Sequence, residues 1–149
     1  MQKFNYQKIC QDIISDLSPR QKEVISERFG LNGGERKTLE AVGENLGVTR
    51  ERVRQIQDGA LDEIKDKAGN YQAIFQSFKK YFRNFGDLRK EETMLQELGK
   101  EKWQNQIYFL LTLDSGFARF GANRNFHPLW AMGPDSLEKA QKTISSLYR

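Results

Sequence analysis

Cysteine and histidine are almost absent from this chain: 149 residues contain one of each, along with only three prolines. A lone thiol, Cys10, excludes an internal disulfide and any zinc site built from several cysteines. Its neighbours Ile9, Ile13 and Ile14 mark it as a small buried hydrophobe. The single histidine, His127, is followed by Pro128 and has no second ligand or acid at helical spacing. No phosphate loop, nucleophile signature or metal-ligand cluster occurs, so neither an enzyme, a cofactor, a metal nor a small-molecule substrate is expected. The carboxylate pairs Glu91-Glu92 and Glu97/Glu101 fall on exposed helix positions and need only solvent. Long apolar runs are also missing. The longest, Tyr108 to Leu113, is far too short for a bilayer span. No charged-then-apolar segment opens the chain, so a cytoplasmic protein without membrane contact is expected.

What is present suffices for packed cores: 38% of residues are hydrophobic and 11% aromatic. The net charge of +4 is mildly basic and unevenly placed. Residues 1–69 hold 12 Lys and Arg against 12 Asp and Glu, whereas residues 70–149 hold 12 against 8. A nucleic-acid role for the N-terminal half therefore has to rest on where its charges fall.

Apolar periodicity is helical up to about Gly116. Ile9, Ile13 and Leu17 mark a first stripe. Ser18-Pro19-Arg20-Gln21 predicts a helix start with a capping box and proline at the first helical position. Val24, Ile25 and Phe29 form the buried face of that helix, and Gly30 ends it. Thr38 caps a third helix, and a fourth runs from Thr49 to about Lys67. Gly69-Asn70 is the expected domain boundary. Beyond it Tyr71, Ile74, Phe75, Phe78, Phe82 and Phe85 make an aromatic stripe that reads as core. Met94, Leu95 and Leu98 mark a short helix, and Trp103, Ile107, Leu110 and Leu111 another. Phe117 to Phe120 and Phe126 to Met132 then read as a hairpin, its second strand at the edge because of Pro128. Asp135 and Glu138 open a last helix reaching about Tyr148.

The segment Thr38 to Ile64 carries the functional signal. Gly43 permits close approach of two helices, and Gly47 accepts a left-handed turn. Val42, Leu46, Val48, Val53 and Ile56 fill the space between them, as in a helix-turn-helix. On the fourth helix Val53, Ile56, Ala60 and Ile64 share an arc of roughly 80°. Glu51 and Gln55 lie opposite, flanked by Arg52 and Arg54, with Arg50 in the first turn. Arginine suits guanine, glutamate accepts from cytosine, and glutamine pairs with adenine or phosphate. A glutamate among phosphates is repelled unless it meets a base donor, which favours readout. The plain alternative is a solvated helix face whose Glu51–Arg pairs are worth tenths of a kcal/mol.

The run from Thr38 to Gln57, and above all Val48-Thr-Arg-Glu-Arg-Val-Arg-Gln-Ile56, closely resembles region 4.2 of housekeeping bacterial sigma factors. Leu17 to Leu31 resembles their region 4.1, and the likeness extends over about residues 17–66. The resemblance implies a recognition helix that reads a −35-like promoter element on double-stranded DNA. Arg50, Glu51, Arg52 and Gln55 are then the base-reading positions, with Thr49 and Arg54 near the backbone. It also implies an apolar cleft for the flap of the RNA polymerase β subunit, to which Val24, Ile25, Phe29 and Leu31 would contribute; the same four residues serve equally as core. Nothing in the chain resembles the region that opens the −10 element, so either the sequence is a fragment or region 4 acts as a free-standing module.

Three helices followed by a hairpin suggest a winged helix over about residues 75–132. This segment loosely resembles winged-helix modules such as the N-terminal domain of the RNA polymerase delta subunit. By that analogy Lys102, Gln104 and Asn105, with Gln106, begin its third helix, and Arg119 and Arg124 sit on the wing, as a second DNA surface or an ordinary one. The expected fold is mostly α: a helix-turn-helix domain over 1–69, then a winged-helix-like α+β domain over 70–149. The expected function is promoter-associated DNA binding in transcription initiation with RNA polymerase contact. The alternative is a protein-interaction module that docks on polymerase or a regulator without reading DNA.

Overall fold

The computed structural model describes residues 4–121 and 127–133. The first four helix starts fall where side-chain acceptors meet free backbone N–H groups. Asn5 opens α1 (Tyr6–Ile14) by accepting from the Lys8 amide. Ser18 opens α2 (Pro19–Phe29) through a complete capping box with Gln21. Thr38 and Thr49 cap α3 (Leu39–Leu46) and α4 (Arg50–Ala68) by accepting from the amides of Ala41 and Arg52. A 3-10 turn at Gly69–Tyr71 leads into α5 (Gln72–Arg83). There follow β1 (Leu88–Lys90), α6 (Glu91–Gly99), α7 (Gln104–Leu113), β2 (Phe117–Phe120) and β3 (Leu129–Met132).

The architecture is the expected one, a helix-turn-helix followed by a winged-helix-like α+β unit, with one correction. The sheet is antiparallel and three-stranded in the order β1-β3-β2, so β3 is its central strand, not its edge. Leu88 pairs with Ala131 on one side, and Phe117 with Met132 on the other. Pro128 lies just before the ladder, where its carbonyl accepts from the Glu91 amide at 2.9 Å. All four β3 residues are buried, the pattern of a strand covered on both faces. The short β1 was not expected.

Packing continues across residue 69, where the sequence places a domain boundary. One continuous core runs from Cys10 and Ile13 through Ile25, Ile64, Phe78 and Phe82 to Leu110 and Trp130. Its centre is α7, which packs on α1, α2 and α4. Phe29 packs tilted against Phe109 with ring centroids 5.1 Å apart, tying the helix-turn-helix to the winged unit. Of the aromatic stripe, Ile74, Phe75, Phe78 and Phe82 are buried, whereas Phe85 lies past the helix end and is 42% exposed. The expected last helix (135–148) and the residues from 122 to 126 lie outside the described residues.

Candidate nucleic-acid interface

The helix-turn-helix owes its geometry to a small core of its own. Val24, Val42 and Val53 are fully buried, with Leu39, Leu46, Val48 and Ile56 packed around them. Gly47 adopts φ +70°, the left-handed conformation that a Cβ would strain. Gly43 sits so close to the turn that an added Cβ would lie 2.6 Å from the Val48 carbonyl oxygen. These constraints fix where α4 starts and how it is rolled. With Val53 pinned inward, Arg50, Glu51, Arg52, Arg54 and Gln55 all emerge exposed on the outer face.

Those side chains pair with one another. Arg54 grips Glu51 through Nη2 at 2.5 Å and Nε at 3.1 Å, and reaches Asp58 at 3.4 Å. Arg52 donates to Gln55 at 3.4 Å. The Arg54 hydrogen bond holds the Glu51 carboxyl below the usual carboxylate range, with the charges of Arg54 and Arg50 adding to it. The same bond raises Arg54. Glu51 therefore stays ionised at neutral pH. Being fully exposed, these pairs cost little to exchange for contacts to a ligand. Thr49 is engaged as the cap, accepting from the Arg52 amide at 3.1 Å.

Sequence reasoning missed Arg28. It borders a recess of about 320 Å³ lined by Arg28, Thr38, Leu39, Glu40 and Arg50, where the N-terminus of α3 meets that of α4. Arg28 is fixed there by donating to Gln57 Oε1 at 3.1 Å and to the Lys37 carbonyl at 2.6 Å. Its place in the last turn of α2 gave no hint of this, because only the tertiary fold brings α3 across it.

The other expected site residues are placed differently. Val24 belongs to the small core, and Ile25, Phe29 and Leu31 to the large one, with Phe29 packed against Tyr108 and Phe109 of α7. In this conformation the expected apolar cleft is filled by the chain itself. On α7, Asn105 faces inward and donates to the carbonyls of Gly30 at 3.1 Å and Gly34 at 2.8 Å. Gln104 is occupied by Gln96 and the Lys100 carbonyl. Lys102 lies over the Trp103 ring, 4.8 Å from its centroid. Arg119 chelates Glu91, which is buried and not exposed as its sequence position suggests. The helix that these residues open is the centre of the core; Arg124 lies outside the described residues. Cys10 is buried, its thiol pushed up to about 12 by desolvation. Among the described residues no group of three or more His, Cys, Asp or Glu is arranged to hold a metal, and no helix is long and apolar enough to cross a membrane.

Residues 13–66, from the end of α1 to near the end of α4, match the family model for Sigma-70, region 4. Similar proteins include the RNA polymerase sigma factor sigB of Arabidopsis thaliana, 47% identical over 58 residues, or 39% of this chain and 10% of the relative. RpoS of Coxiella burnetii is 52% identical over 52 residues, 35% of this chain and 15% of the relative. SigA1 of Synechococcus elongatus is 47% identical over 53 residues, 36% and 13% respectively. The chain thus spans between 10% and 15% of the length of these relatives. The winged-helix-like unit lies outside the matched segment.

Proposed function

We propose that this chain binds promoter DNA in transcription initiation, laying α4 in the major groove of a −35-like element. One observation carries the reading: within the segment matching region 4, a separate three-valine core pins α4 so that Arg50, Glu51, Arg52 and Gln55 project together. Arg50 and Arg52 suit guanine, Glu51 a cytosine amino group, and Gln55 adenine or phosphate. Arg54 keeps Glu51 extended and ionised until a base donor replaces it. Arg28, beside Arg50 at the recess, contacts a backbone phosphate. The relatives are named RNA polymerase sigma factors, and on that ground RNA polymerase is the protein partner we propose. The face of Ile25, Phe29 and Leu31 is a poor candidate for that contact while α7 covers it.

The test is fluorescence anisotropy with a labelled duplex carrying a TTGACA-like element, against a scrambled duplex, at two salt concentrations. Neutralising three or four phosphates should give a log–log salt slope of about −3 to −4. Preference for the element, lost in Glu51→Ala or Arg52→Ala, is the expected result. Equal weak binding to both duplexes removes promoter reading and leaves a protein-docking module as the better reading.

A further inference from the structure

The seam between α2 and the sheet gathers more positive charge than its carboxylates neutralise. Arg28 comes from α2, Arg36 and Lys37 from the loop before α3, and Arg119 from β2. The Arg36 guanidinium carbon lies 3.8 Å from the Tyr108 ring centroid and that of Arg119 5.5 Å from the same centroid, so both sit against one ring. Among the described residues three carboxylates face these four cations, one of them Glu40, across the recess from Arg28. Glu91 accepts from Arg119 Nε at 2.7 Å and from the Trp130 indole at 3.0 Å. Glu27 pairs with Lys37 at 3.2 Å. Among the described residues Arg28 donates to neutral acceptors, and Arg36 Nη1 is buried without a hydrogen-bond partner. Glu27 Oε2 is likewise unpartnered.

Arginine does not escape burial by losing its proton, so crowded guanidinium groups require an acceptor with negative charge. Desolvation lowers the Arg28 pKa; the neighbouring Arg36 and Arg119 add to this and Tyr108 opposes it. The planar fork of a guanidinium matches the oxygens of a phosphate group.

We propose that this seam binds a phosphate group, gripped by Arg36 and Arg119 beside Tyr108, with Arg28 at its edge. The group belongs either to the backbone of a bound duplex or to a free phosphorylated ligand. The first source rests on the DNA reading above and is geometrically natural, because Arg28 also lines the recess beside Arg50. A duplex read by α4 would then continue onto β2, and the winged unit would add to the affinity without reading sequence.

The experiment uses the full chain, Arg36→Gln and Arg36→Lys, with melting in chloride as the control for folding. In one arm, thermal unfolding is compared in inorganic pyrophosphate and in chloride at matched ionic strength. A saturable rise of a few degrees, lost in Arg36→Gln and partly kept in Arg36→Lys, assigns a site for free phosphate groups. In the other arm, the salt dependence of duplex binding is measured. A slope shallower by about 0.9 in Arg36→Gln, with element preference unchanged, assigns a backbone phosphate. If neither arm responds, the proposal is overturned, and Arg36 merely stacks on Tyr108 or turns to Glu27. If the native chain binds no duplex at all, the DNA reading fails separately, and the pyrophosphate arm alone decides the site.

Discussion

In Gly43→Ala, the added methyl carbon would lie 2.6 Å from the Val48 carbonyl oxygen, with the carbonyl carbon of Thr49 at 3.4 Å and the Arg50 amide at 3.5 Å. All three belong to the backbone of the turn, so no side chain can swing aside, and the turn must move by over half an ångström. Overpacking of this kind costs about 1–3 kcal/mol. Alanine also gains about 1 kcal/mol over glycine in a helix interior, whatever surrounds it. Gly59→Ala isolates that gain, because Gly59 lies within α4 with nothing within 4 Å of its would-be Cβ. The difference between the two variants therefore measures the steric cost of the tight turn. Urea melts should place Gly43→Ala about 1–3 kcal/mol below Gly59→Ala, and thermal melts about 2–4 °C apart per kcal/mol for a chain of this size. Because the displaced atoms start α4, Gly43→Ala should also weaken duplex binding. If Gly43→Ala proves as stable as Gly59→Ala, the close approach is not what fixes the start of α4.

Further outcomes follow from the packing. Phe109→Ala, which empties the contact with Phe29, should cost about 3–5 kcal/mol and lower a single unfolding transition; two separated transitions in calorimetry would show that the halves fold independently. Burial would raise the pKa of Glu91, but the hydrogen bonds from Arg119 and Trp130, with the charge of Arg36, outweigh it and hold the carboxyl below its usual range. Its stabilising effect is therefore present above the unfolded carboxylate pKa and lost as pH falls through the lower folded value. Glu91→Gln should flatten that acid limb in denaturation at stepped pH and cost about 1–3 kcal/mol near neutrality; an unchanged limb would show that Glu91 carries none of it. Cys10, buried with a thiol raised to about 12, should resist iodoacetamide in the native chain and react once unfolded, read by mass spectrometry.

How much was legible in the sequence depended on the range of the interaction that decides each feature. Helix starts rest on contacts three residues apart, so Ser18, Thr38 and Thr49 announced themselves. The outward face of α4 follows from its inward one, and Val53 and Ile56 were readable as inward. What could not be read was how the second unit sits on the first. Arg28 and Arg36 are ordinary surface arginines until α3, α7 and β2 are brought against them. Two features of the second unit nonetheless had a signal. Leu129-Trp-Ala-Met132 does not alternate, which marks a strand covered on both faces and hence central, with Pro128 just outside it. α7 is apolar on nearly every side, with Ile107, Phe109, Leu110, Leu111 and Leu113 buried, and such a helix belongs in a core.

That last point bears on what the winged unit does. A winged helix that reads DNA presents its third helix to the groove, but α7 is spent holding α1, α2 and α4, and Asn105 and Gln106 at its start bind Gly30, Gly34 and Gln7 of the other unit. Sequence readout through α7 would require it to leave the core, exposing Ile107, Leu110 and Leu111 together. At about 1.5–3 kcal/mol for each such side chain, this exceeds what groove contacts by Gln104 and Asn105 return. Any DNA contact by this half therefore falls to its strands, where Arg119 already meets Arg36 of the first unit across Tyr108. On the proposed DNA reading, specificity then resides in α4, and the second unit changes how tightly a duplex is held but not which sequence is chosen. Arg119→Gln should accordingly weaken binding to preferred and scrambled duplexes by the same factor; a change in their ratio would mean that the wing side reads bases.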